Sequence, residues 1–171
     1  MTRVYVPTTL AGLARAQKLG TLNDPDAAEG SDPELSAHAV TGAVREWYLE
    51  GNLEELEYSA LIDAAESSLR LLALEPVAPR RRVVVAVDVP EPLVRPGGEH
   101  RSSVLITGPI ELSRVVSVHV DEVESIDTIV AAVDALAAAA DGDDDARFQL
   151  DEAEACDLLW YDISEIDDLI G

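Results

Sequence analysis

Residues Arg82 to Val89 read Arg-Val-Val-Val-Ala-Val-Asp-Val, an almost unbroken β-branched run. A strand with one face in water alternates apolar and polar residues, whereas a continuous run fits a strand buried on both faces. The rest of the chain must supply neighbours and cover for it. Pro76 and Pro79 stop helical structure just ahead of the run.

Four other segments read as strands: Arg3-Val4-Tyr5-Val6, closed by Pro7, Ser103 to Thr107, Leu112 to Val120, and Leu158 to Tyr161. The strands at 82–89, 103–107 and 112–120 follow one another through loops, so an antiparallel meander is expected. Strand, helix and strand between residues 114 and 161 predict a right-handed crossover and a parallel pair. Thr8 or Thr9 caps a helix through Leu10, Leu13, Ala14 and Lys18, and Gly20 closes it. Ala37, Val40, Val44 and Trp47 follow helical spacing after a cap at Ser36, which puts Trp47 on a buried stripe. A long helix runs from Leu53 to Ala73. Its face of Leu56, Ala60, Ala64, Ser68 and Leu72 is small enough at the centre to lie close to a sheet. Asp121 and Glu124 have capping-box spacing ahead of a helix with Ile126, Ile129, Val130, Val133 and Ala137. A short helix over Ile163 to Ile170 ends the chain. The expected fold class is α+β: one domain over 1–171, with a mixed four- or five-stranded sheet packed against several α-helices, mainly those around 36–73 and 122–140. Loops are expected at 21–35, 90–101 and 141–151.

The chain has 171 residues and is 47% apolar, enough for a real core without staples. No apolar run approaches the roughly 18 residues of a membrane span. The N-terminus has no secretory pattern and Cys156 is the only cysteine, so a soluble cytoplasmic protein without a disulfide framework is expected. The formal charge is -22, which repels phosphate and anionic lipid and argues against direct nucleic-acid or membrane binding. Residues 121–171 hold 17 acids against Arg147 alone, a charge of -16.

Phosphate-loop, dinucleotide, nucleophile-elbow and zinc spacings are all missing, and no cofactor is expected. His119 alternates with Val118 and Val120 and shares a face with Ser117. It reads either as a satisfied structural histidine or as the centre of a small enzyme site with Asp88, Arg114, Arg45 and Tyr58. Arg80-Arg81-Arg82 reads as a strand flank paired with the protein's own acids. From Asp141, acids at positions 1, 3, 5 and 12 (Asp141, Asp143, Asp145, Glu152) follow the ligand order of an EF-hand loop, which offers weak calcium binding through residues 141–152 as an alternative function. Ala146 stands where that loop wants glycine, and a solvated acidic loop is the plainer reading.

Several pieces resemble a family of small uncharacterised acidic proteins from high-GC Gram-positive bacteria, a domain of unknown function. They are Arg3 to Leu10, Ala37-His38-Ala39-Val40-Thr41, Arg45-Glu46-Trp47-Tyr48, Glu55-Leu56-Glu57-Tyr58, Ser68 to Leu72, Arg80 to Ala86, Ser117 to Asp121 and Leu158 to Tyr161. The resemblance implies a single domain in a cytoplasmic setting and carries over no site residue. The functional expectation is therefore a non-enzymatic binding or regulatory protein. Its acidic C-terminal third would dock a basic partner protein, with mimicry of nucleic acid as a sharper form. Tyr48 and Tyr161, off the apolar stripes, and Asp162, Glu165, Asp167 and Asp168 are the candidate contact residues.

Overall fold

The computed structural model describes residues 1–23 and 34–171. The valine run forms β4 (Val83–Val89). Val83, Val85, Val87 and Val89 face one core cluster and Val84 and Ala86 another, and all six are essentially buried. β1 (Thr2–Thr8) pairs with β4 along its whole length, and β8 (Val115–Asp121) pairs on the other side with a bulge at Ala86/Val87. Beyond β1 come β3 (Glu34–Ala39), β6 (Ser103–Thr107) and β5 (Val94–Pro96); beyond β8 comes β9 (Leu158–Tyr161). The order is β5-β6-β3-β1-β4-β8-β9, and every pair is antiparallel. β2 (Thr21–Leu22) and β7 (Ile110–Glu111) form a separate short pair.

α1 (Leu10–Leu19) and α6 (Ile166–Ile170) pack on the face of Val85 and Val87 through Leu10, Leu13, Ala16 and Ile166. The Thr9 hydroxyl caps α1 by accepting the Gly12 N–H at 3.0 Å, and Gly20 closes it at φ 76°. α3 (Leu53–Leu74) covers the opposite face. Ala60 and Ala64 have no exposed surface and bring the helix against Tyr5, Val84 and Ala86. Ser68, also buried, donates to the Thr8 carbonyl at 2.7 Å and accepts the Val83 N–H at 2.9 Å, tying α3 to the ends of β1 and β4. α4 (Ile126–Ala140) and α5 (Asp144–Glu154) pack on α3 in turn, through Ile129, Ala132 and Ala153 against Leu69 and Leu72.

The structure corrects several expectations. Among the described residues, seven antiparallel strands replace the mixed sheet of four or five. One extra strand is β3, where Leu35, Ala37 and Ala39 alternate inward at period two while Ser36 and His38 face α3. The helix expected from Ser36 shrinks to α2 (Gly42–Trp47), capped by Thr41. With that stripe gone, Trp47 is 60% exposed and carries the Arg101 guanidinium 3.6 Å from its ring centroid. The other extra strand, β5, lies inside the expected loop 90–101 and pairs with β6. The meander does not form, because β6 pairs with β3 while β4 pairs with β8. β8 and β9 are antiparallel, so the crossover is absent too. Pro7 does not end β1: pairing with β3 stops at Tyr5, so the strand continues to Thr8 where fewer ladder bonds are demanded of it. The expected loop 21–35 begins in β2 and ends in β3, and its residues 24–33 lie outside the described ones.

Asp121 does not cap α4. It is buried at the end of β8 and grips Arg82: Oδ1 accepts from Nη2 at 2.7 Å, and Oδ2 accepts from Nε at 2.9 Å and from the Arg82 N–H at 2.7 Å. Arg81 donates to the Asp121 carbonyl at 2.8 Å. Arg80 closes the C-terminus of α3 by donating to the carbonyls of Leu72 and Glu75. The basic triplet is thus absorbed within the chain.

Candidate functional site

The acidic C-terminal third is more helical than its sequence suggests. α4 ends at Ala140, Gly142 turns the chain at φ 90°, and the Asp143 carboxylate accepts the Ala146 N–H at 2.9 Å to start α5. The expected loop 141–151 is therefore a tight cap followed by helix. Asp145 and Glu152 lie seven residues apart on α5, about 10 Å along its axis, so Asp141, Asp143, Asp145 and Glu152 cannot enclose one ion. Ala146, the residue against the EF-hand reading, is a buried position of the helix.

β9 is the last strand of the sheet on this side, with Leu159 38% and Trp160 61% exposed. Among the described residues no hydrogen bond leaves its outer edge for another strand. Tyr161 is half-buried and packs on the core beside α6. Asp162 and Glu165 form a capping box that starts the final helical segment, and the hydrogen bonds from Ser164 hold the Asp162 carboxyl below its usual range. Asp167 accepts from Gln17 of α1 at 2.9 Å, and Asp168 is exposed. Tyr48 lies elsewhere, just after α2, where its hydroxyl accepts from Ser59 at 3.3 Å. Trp160, the most exposed side chain of β9, was not among the expected contact residues. Its alternation with half-buried Tyr161 was the available signal.

The residues grouped around His119 are only partly brought together. His119 and Asp88 share the α3 side of the sheet. Asp88 is paired with Arg3 at 2.6 Å, which holds its carboxyl below the usual range, and His119 shares a 3.0 Å hydrogen bond with Ser117. Burial, helped by the Arg3 charge, lowers the imidazole below its ordinary pKa. Arg114 precedes β8 on the surface, Arg45 is exposed on α2, and Tyr58 is 58% exposed on α3. Among the described residues no hydrogen bond joins those three to His119 or Asp88.

A different histidine is the better organised. His38 on β3 is 4% exposed and faces α3. Its Nδ1 lies 2.8 Å from Ser102 Oγ and its Nε2 lies 2.8 Å from Ser67 Oγ. Ser102, fully buried, donates its only proton to Asp63 Oδ2 at 2.7 Å. The network therefore assigns the tautomer: Ser102 accepts from Nδ1–H, and Nε2 offers its lone pair to the Ser67 hydroxyl. Burial drives the His38 pKa down to about 4, with His100 adding to the shift and Asp63 and Glu66 opposing it, so the ring is neutral near pH 7. The loop between β5 and β6 places His100 beside it, with ring centroids 5.5 Å apart. Gly98, at φ 130°, permits that loop, since a Cβ there would meet Ser103 Cβ at 2.5 Å. His38 and Ser67 border two cavities, of 180 and 390 Å³. The local trace of this site in the sequence is Asp63, Glu66, Ser67 and Arg70, polar residues at i, i+3, i+4 and i+7 of α3.

Asp63, Glu66 and His100 offer ligand atoms within 4.8 Å of one another, the spacing of a metal site. Glu66 is already held by Arg70 at 3.0 Å, and Asp63 by Ser102. A cation would have to displace one positive charge and one hydrogen bond.

A family model described as a family of unknown function, DUF6912, matches residues 2–170. The chain belongs to this family. No curated protein and no solved structure matches the chain.

Proposed function

We propose that the protein is a docking module that takes an extended, basic segment of a partner protein along the outer edge of β9. The observation that carries this is the juxtaposition of a sheet edge that no described strand pairs, bearing exposed Leu159 and Trp160, with the -16 charge of residues 121–171. An unpaired strand edge presents N–H and C=O groups that an added strand satisfies. Native sheets often guard such an edge with lysine, whereas Asp157 and Asp162 flank β9 here. Those carboxylates favour an arginine- or lysine-bearing strand over a second copy of this acidic chain. Charge of this density chiefly speeds encounter and selects the partner, while the backbone ladder and the Trp160 ring supply the lasting contact.

The test is the binding of a short synthetic peptide alternating arginine and valine, followed at low and at high sodium chloride. The expected result is saturable binding at low salt that weakens at least about tenfold at high salt and again in Trp160→Ala. Failure to bind at low salt, or equal binding by an alternating glutamate-valine peptide, would reject the docking edge.

A further inference from the structure

We infer that Ser67 is an activated nucleophile for acyl transfer, with His38 as its general base and Ser102 and Asp63 as the groups that orient the imidazole. The inference is independent of the docking edge, which lies at the far side of the sheet from β3.

Ser67 and Ser68 are adjacent on α3, yet their hydroxyls are committed differently. Ser68 has both its proton and its lone pairs engaged by the backbone of β1 and β4, which is a structural role. Ser67 is half-buried, borders both cavities, and points its proton at the free lone pair of His38 Nε2 at 2.8 Å. A serine hydroxyl is a poor nucleophile alone and becomes a good one when an adjacent base, itself held by a third group, takes its proton. The chain Asp63, Ser102, His38, Ser67 meets that requirement with three consecutive contacts of 2.7 to 2.8 Å. The ring is neutral at physiological pH, so Nε2 has a lone pair for the serine proton. With a pKa of about 4 it is a weak base, and its role rests on the 2.8 Å contact with Ser67. Arg70, one turn beyond Ser67, lines the smaller cavity, where Glu66 holds its guanidinium at 3.0 Å.

The cavities indicate the substrate class. The larger is bordered by Val6, Leu35 and Leu71 and suits an apolar acyl group. The smaller is bordered by Arg70, Glu99 and His100 and suits a polar leaving group. In the first step Ser67 Oγ bonds to the carbonyl carbon of an ester and its proton passes to His38 Nε2. The bond to the leaving oxygen then breaks, and His38 returns the proton to that oxygen as the alcohol departs. Water adds to the acyl-serine by the same route, giving up a proton to His38, which hands it to Ser67 Oγ as the carboxylic acid leaves.

The experiment is labelling of the full chain with an alkyl fluorophosphonate, read by intact mass and peptide mapping, beside hydrolysis of p-nitrophenyl butyrate. One adduct on Ser67 is expected, absent in Ser67→Ala, a truncation that leaves the backbone bonds of α3 in place. The labelling rate of the unaltered protein should rise as His38 loses its proton, with a midpoint near pH 4, and be flat at neutrality. Ser102→Ala should slow labelling and shift that midpoint, and Ser102→Thr should restore both. A folded, unaltered protein that gives no Ser67 adduct, or a rate that ignores the His38 titration, would overturn the assignment and leave the relay a purely structural network.

Discussion

Asp121 shows how much the surroundings of one charge decide. Its pair with Arg82 and the pair of Arg3 with Asp88 are both bidentate, yet only the first is buried on both sides. Removing one partner of a buried pair leaves an uncompensated charge, whereas an exposed pair contributes little. Asp121→Ala is therefore expected to cost about 3–5 kcal/mol, by stranding the Arg82 guanidinium. Asp88→Ala should cost under about 1 kcal/mol. Urea unfolding of the two variants checks this, and equal shifts in midpoint would refute it. At the same scale, Tyr5 is pushed up to about 12, first by burial and then by the charge of Glu57, so it stays a neutral donor to that carboxylate at 3.4 Å.

Among elements, α3 does the most to build the molecule. Its N-terminus is capped by the Asn52 side chain, which accepts the Glu55 N–H at 2.9 Å, and its C-terminus by Arg80. Its sheet-facing residues are alanine and serine, which set the helix close to the strands, and its polar stripe from Asp63 to Arg70 reaches the His38 relay. Overpacking such a contact forces strain into a backbone that cannot yield. Ala64→Leu should destabilise by about 1–3 kcal/mol. Ala73→Leu, on the exposed side of the same helix, should stay within about 0.5 kcal/mol. Thermal denaturation of the two variants separates close packing from helix propensity: if both melt alike, the close approach of α3 to the sheet is wrong.

The whole molecule carries a charge of -22 that must be held together against itself. Most of its ion pairs are exposed and add little, so mutual repulsion of the acids is the larger electrostatic effect. Raising ionic strength shortens the screening length from about 10 Å at 0.1 M to about 3 Å at 1 M, which weakens that repulsion. The melting temperature should rise over this range of sodium chloride. A fall would mean that the surface pairs outweigh the repulsion.

Local chemistry alone reveals the elements whose signals lie within a few residues. The run Val83–Val89 is a doubly buried strand because no residue in it other than Asp88 tolerates water. The Thr9 cap and the Gly20 stop bound α1 by bonds within one turn. Charge, and membership of a family matched over residues 2–170, are likewise properties of the chain itself. What only the tertiary structure decides is everything that depends on distant partners. β3 is a strand because Val4 and Tyr5 on one side and β6 on the other complete its ladder, overriding the helical spacing that Val40, Val44 and Trp47 suggest. The Asp121 carboxylate has a cap's spacing and a core residue's environment, because Arg82 arrives from just ahead of β4, 39 residues away. His38, Asp63, Ser67 and Ser102 come from a strand, a helix and a loop, with Ser102 64 residues from His38, and no spacing along the chain encodes their meeting. Hydrogen bonds act over about 3 Å of space, and only the folded sheet sets which residues are that close.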